Sequence, residues 1–193
     1  MRYPAKQKQE TRERIVQAAS RRFRGRGEQR VAIADLMREL HLTHGGFYRH
    51  FASKEDLFVE SIAKGLSEIA ERHAHAAEAG PPGSELRSII ERYLSPEHCA
   101  NPAEGCPLAA LASEIARHPR ASRVRFDRAI HDSMQVLAQF LPGSTEGERQ
   151  RNCAVLFSGM AGALSLARVV ADEEMRQSIL QGAREFYIKA FCS

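Results

Sequence analysis

The chain has 193 residues, 43% hydrophobic and 27% charged, the ordinary composition of a globular protein with one large domain or a small one joined to a medium one. Its net charge of +4 is unevenly placed: residues 1–54 carry 13 Lys and Arg against 5 Asp and Glu (+8), and the rest carry 15 against 19 (−4). No apolar run approaches the roughly 20 residues of a membrane span, no hydrophobic segment follows the N-terminal basic residues, and the four cysteines lack C-x-x-C spacing. The expectation is a reduced, cytoplasmic protein without a membrane partner.

Strand signals are sparse and helical periodicity runs through the chain, which predicts an all-α fold of about nine helices. In the first helix Ile15, Ala19 and Phe23 recur four apart, Thr11 stands near the start, and Gly25 and Gly27 end it. A basic arm (Arg2, Lys6, Lys8) precedes it. An amphipathic segment over 33–40 comes next, then a turn-length gap at His41 and Leu42. Residues 43–54 read T-H-G-G-F-Y-R-H-F-A-S-K. Two short helices at this spacing make a helix-turn-helix, whose second helix can lie in the major groove of DNA.

Thr43 is a good N-cap for that second helix. Gly45 and Gly46 cost about 1 kcal/mol each relative to Ala, which points to close backbone approach to another molecule. Tyr48, Arg49, His50 and Lys54 supply donors for phosphates and base edges, while Phe47 and Phe51, four apart, suit a core. The basic N-terminal segment is the electrostatic footprint of phosphate binding.

A long helix over 53–79 is capped by Ser53, with Asp56 three residues on. Gly80-Pro81-Pro82-Gly83 then breaks the chain, and Ser84 caps the next helix. Further helices are expected at 84–95, 104–117, 120–141, 146–171 and 173–191. The last two are apolar around most of their circumference, and Gly159 and Gly162 thin the first of them for close packing. Such helices need cover on most sides, so a homodimer through 146–171 and 173–191 is expected, as a two-fold four-helix interface.

Together these stretches resemble the TetR family of bacterial transcription regulators. The resemblance rests on T-R-E-R-I-V-Q-A-A, F-R-G-R-G, I-A-D-L-M-R-E-L and G-G-F-Y-R-H-F-A-S-K-E-D-L between Thr11 and Leu57, with weaker echoes at 105–117 and 160–172. It implies a DNA-binding domain over 1–54 and a ligand-sensing and dimerisation domain over 55–193. It further implies a recognition helix over 44–50, with His44, Gly45 and Gly46 toward bases and Tyr48, His50 and Lys54 toward phosphates. With two glycines offering no side chain, direct readout falls on Thr43, His44, Arg49 and Ala34. Two departures stand out: Ala32 replaces the hydroxyl that usually opens the second helix, and Leu40-His41 replaces a small Ala-Gly pair at the turn.

The implied function is a repressor that binds a palindromic double-stranded operator and is released by an effector. Activation, or a purely architectural DNA-binding dimer, is the alternative. Inward candidates for a site taking a small apolar or reactive effector are Tyr93, Leu108, Leu111, Ile115 and Phe126, with Met134, Leu137, Phe157 and Met160 further on. Cys106, before Pro107 at a helix start, is expected either to be a thiolate sensor of electrophiles or a small buried residue. No Gly-rich phosphate loop, nucleophile elbow or H-E-x-x-H helix is present, so no enzyme and no cofactor is expected. His73, His75, His98, Cys99 and Cys106 match no familiar zinc spacing, so no metal is expected.

Overall fold

The computed structural model of the protein describes residues 5–192, and all regular structure among them is helical. The elements are α1 (Ala5–Arg26), α2 (Ile33–Glu39), a 3-10 recognition turn (His44–Arg49), α3 (Lys54–Glu78), α4 (Glu85–Tyr93), α5 (Pro96–Ala100), a 3-10 turn (Pro102–Glu104), α6 (Pro107–Ile115), α7 (Arg120–Ala138), α8 (Glu146–Val169) and α9 (Glu173–Phe191). The expected all-α architecture is present, with an N-terminal helix-turn-helix and a C-terminal helical body.

Two apolar cores meet along α3. Its first half sends Leu57, Phe58, Ile62 and Leu66 into a core with Ile15, Phe23, Leu36, Phe47 and Phe51. Its second half sends Ile69 and Ala70 into a core with Ile90, Tyr93, Phe157, Met160 and Leu164. The period of 3.6 residues keeps both sets on the inward side of one rod. Each large side chain so buried contributes about 1.5–3 kcal/mol.

Local chemistry explains several differences from the expected elements. Two glycines and only six residues favour a tight 3-10 turn at 44–49, where the Phe47 carbonyl accepts from the amides of both His50 (2.9 Å) and Phe51 (3.1 Å). Thr11 lies inside α1, its hydroxyl donating to Gln7 O at 2.9 Å, and Lys6 and Lys8 belong to the same helix instead of a separate arm. Arg2 falls outside the described residues. Ser53 accepts from the Asp56 amide at 3.0 Å, as expected of a cap. Ser84 does not cap: its hydroxyl turns back to Pro81 O at 2.6 Å. The short α5 and the turn after it occupy a proline-punctuated stretch where no helical period predicts an element.

The last two helices are sharply capped. Thr145 and Glu148 form a capping box at the start of α8, and Asp172 accepts from the Met175 amide at 2.7 Å at the start of α9. Contrary to the expectation from sequence, α8 is long and apolar enough to cross a membrane. In this fold one side of it enters the core, burying Leu156, Phe157, Met160, Leu164 and Ala167. A Cβ at Gly159 would sit 1.8 Å from Tyr187 Oη, so the glycine is what lets α9 lie against α8.

Candidate nucleic-acid interface

The recognition turn is held from beneath by one residue. Phe47, 1% exposed, stacks on Phe51 with centroids 5.5 Å apart and planes 25° apart. This anchor turns the neighbouring side chains outward. Tyr48 is 64% exposed, its ring edge-on to both Phe47 (5.2 Å) and His44 (5.9 Å). Thr43 caps the turn through its hydroxyl, which accepts from the Gly46 amide at 3.3 Å. A Cβ at Gly46 would press on that same oxygen at 3.3 Å, whereas one at Gly45 would meet nothing within 4 Å. Nothing inside the protein therefore requires glycine at 45.

The turn before it bears the strain. His41 adopts φ 58, a left-handed conformation that glycine takes without cost and that most residues avoid. The α2 terminus is nonetheless closed, with Leu42 N donating to Met37 O at 2.8 Å and His41 N to Arg38 O at 3.0 Å. The bulky Leu40-His41 pair thus keeps the helix-turn-helix. Ala32, at the N-cap of α2, makes no side-chain cap, as its chemistry dictates.

A cleft of about 740 Å³ runs between the recognition turn and the start of α1, lined by Lys8, Arg14, His41, Thr43, Arg49 and His50 among others. Lys8, Arg14 and Arg49 have no carboxylate partner among the described residues, so their charge is free to face outward. Arg12 is not: it is paired with Glu60 and lies over the Phe51 ring at 4.6 Å. His50 is half-buried, and burial, then the positive charges of Lys8, Arg12 and Arg49, pull its pKa below the ordinary value. Lys54, half-exposed, opens α3. The sequence signals single out the recognition turn. Lys8, expected on a basic arm, and Arg14, on the first helix, are brought into the same cleft by folding.

The ten effector-site candidates are divided between the two cores. Tyr93, Cys106, Leu137, Phe157 and Met160 lie in the core of the C-terminal body, with Leu108 and Met134 packed against it. Leu111, Ile115 and Phe126 join the core beneath the recognition turn instead. Helical period identifies inward residues but not the core they enter. A cleft of about 570 Å³ is lined by Arg72, His73, Glu91, Arg92, Glu97 and His98 among others, and by none of the ten candidates. His98 is fixed as the Nδ1–H tautomer, donating to Tyr93 O (2.7 Å) and accepting the Cys106 amide at Nε2 (3.0 Å). Burial brings its pKa down to about 4 and that of His73 to about 3, so both are neutral.

Cys106 differs from a thiolate sensor. It is fully buried and burial raises its pKa, which outweighs any gain from the helix start. Mild treatment of the folded protein with iodoacetamide is expected to label Cys192, the partly exposed cysteine, well before Cys106. Mass spectrometry showing Cys106 labelled first would overturn that order. Among the described residues no group of three or more His, Cys, Asp or Glu is placed to hold a metal.

A basic cleft around an outward-facing recognition turn, carried on a helical body, defines a helix-turn-helix DNA-binding protein. Residues 15–60 match the family described as bacterial regulatory proteins, tetR family. The chain is 30% identical over 162 residues to the probable HTH-type transcriptional regulator ArpR of Pseudomonas putida, covering 84% of this chain and 67% of that protein. It is equally 30% identical over 162 residues to the HTH-type transcriptional regulator TtgR, also of Pseudomonas putida, with the same coverage of 84% and 67%. Among solved structures, the reduced form of E. coli NemR superposes with a TM-score of 0.75 at 18% identity, over 94% of this chain and 97% of that one. The chain belongs to the TetR family of transcriptional regulators.

Proposed function

We infer that the protein is a repressor that binds a palindromic operator as a homodimer and releases it when an effector enters the C-terminal body. The observation that carries the DNA half is the recognition turn itself: Tyr48, Arg49 and His44 exposed around Gly45, beside Lys8 and Arg14, which have no carboxylate partner among the described residues. In this reading Gly45 and Gly46 let the backbone approach base edges, Thr43, His44 and Arg49 read them, and Tyr48, His50 and Lys54 hold phosphates. The functional division is residues 1–54 for DNA and 55–193 for sensing and dimerisation. α3 belongs to both cores and carries the signal between them.

The dimer reading is supported by a stripe along α8. Val155, Gly162, Leu166 and Val169 recur at helical spacing and are exposed, with Val169 81% accessible, and Phe186 on α9 is 65% exposed. A monomer leaves this apolar face in water, and a second copy would cover it. The effector reading rests on the apolar core around Tyr93, Phe157 and Met160 and on the cleft beside it. An effector acts only by binding the DNA-incompetent arrangement better than the competent one.

The test is binding to DNA from upstream of the protein's own gene at several salt concentrations. The log of the association constant is expected to fall by about 0.9 per phosphate contact per decade of salt. Tyr48→Ala should abolish specific binding while leaving the thermal midpoint unchanged, because the ring lies outside the core. Native affinity in that variant, or a salt slope near zero, would sink the assignment.

A further inference from the structure

One histidine joins the DNA-reading part of the molecule to its body, and the helix-turn-helix chemistry does not account for it. His118 sits at the corner between α6 and α7, just before Pro119. Its Nε2 lies 2.9 Å from Glu28 Oε2, in the connection between α1 and α2. Its Nδ1 lies 3.1 Å from Glu55 Oε1, in the first turn of α3. The ring stacks on Phe58, centroids 5.0 Å apart and planes 15° apart, and only about a tenth of its surface is exposed.

A neutral imidazole has a single N–H. Both nitrogens here face carboxylates, which accept and do not donate when ionised, so both contacts are satisfied together only by the imidazolium. The groups around the ring support that charge. Glu28 comes from the α1–α2 connection and Glu55 from α3, and Glu114 on α6 accepts the Glu28 amide at 2.7 Å. Two cations lie in the same neighbourhood, Arg117 after α6 and Arg125 on α7, the latter engaged with Asp56 at 2.8 Å. The face of Phe58 adds a cation–π contact.

We propose that His118 is a positioning residue for DNA binding, a charged clasp whose two nitrogens set the reading unit against the body through Glu28 and Glu55. The clasp grips both flanks of that unit: the approach to α2 on one side, and the start of α3, separated from the recognition turn by four residues, on the other. Breaking it frees the orientation of the recognition turns and weakens binding to a site of fixed half-site spacing. This rests on the DNA-binding reading above.

Burial pulls the His118 pKa down, but the hydrogen bonds to Glu55 and Glu28 and their charges outweigh it, leaving the pKa above its ordinary value of 6.5. A raised histidine pKa means the contacts are complete below the ordinary value and are lost as pH rises through the raised one. Operator affinity of the wild type is therefore expected to drop about tenfold from about pH 6 to about pH 8.5, beyond any drop in His118→Gln. His118→Arg carries a permanent charge and should hold the high affinity at both ends of the range. Parallel pH curves for wild type and His118→Gln would overturn the clasp.

Thermal unfolding supplies a readout that needs no DNA. Wild type should melt above His118→Gln near pH 6, and the gap should close as pH rises. A gap that is constant with pH also overturns the clasp. A wild type that binds no DNA at any pH, but keeps a closing gap, overturns the DNA-binding reading alone.

Discussion

Leu166→Glu is expected to split the dimer into monomers and to lower operator affinity by about 10²–10⁴-fold. Leu166 is 52% exposed near the middle of the apolar stripe on α8, between Gly162 and Val169. Under two-fold symmetry a carboxylate placed there is buried twice, against apolar partners that cannot pair it. In the monomer it stands in water and costs nothing, so the fold should survive. The affinity loss follows from valence: a dimer's second recognition turn binds as an intramolecular event, and separation of the subunits forfeits that effective concentration. Sedimentation and operator titration at the same protein concentration decide the matter. A variant that stays dimeric would remove α8 from the interface, and a monomer with undiminished affinity would remove the two-site picture of the operator.

Phe47→Ala is expected to cost about 3–5 kcal/mol and to lower the thermal midpoint by roughly 10 °C. The recognition turn is six residues long and Phe47 is its one buried residue. Two of its positions are glycines, so little intrinsic preference holds the turn in shape once the ring is gone. The truncation also removes the stack on Phe51 and leaves a cavity in the core that Phe47 shares with Met37 and Leu36. Operator binding should vanish with it, in contrast to Tyr48→Ala, which spares the fold. A midpoint within about 2 °C of wild type would show that the turn is supported by contacts other than its aromatic anchor.

The elements most legible in the sequence are those written in one local signal. Apolar period marks α1, α3, α7, α8 and α9, and the Thr43 and Ser53 caps act where hydroxyl chemistry places them. The recognition stretch is readable because its glycines and outward donors conflict with a plain core helix. Ser84 misleads because its hydroxyl has two nearby backbone partners, and proximity in sequence does not say which one wins. α5 escapes notice because five residues between prolines carry no period. Cys106 takes the second of its two expected forms, a small buried residue, because a helix start favours a thiolate only while the sulfur keeps some solvent, and here it has none. His118 is invisible in principle: its partners lie 63 and 90 residues away, and no spacing rule spans such distances.

The shared helix α3 has a mechanical consequence. At 25 residues it is a rod roughly 37 Å long, embedded in the helix-turn-helix core at one end and in the core of the C-terminal body at the other. The two cores meet near its midpoint, between Leu66 and Ile69, which makes that region a fulcrum. A tilt of about 10° there would swing the tip by roughly 3 Å, close to one base-pair rise. In a symmetric pair both tips swing at once, so the gap between them changes by up to twice that amount. If the proposed effector enters the body, wedging the far end by a small angle would be enough to spoil the fit to a duplex of fixed helical repeat.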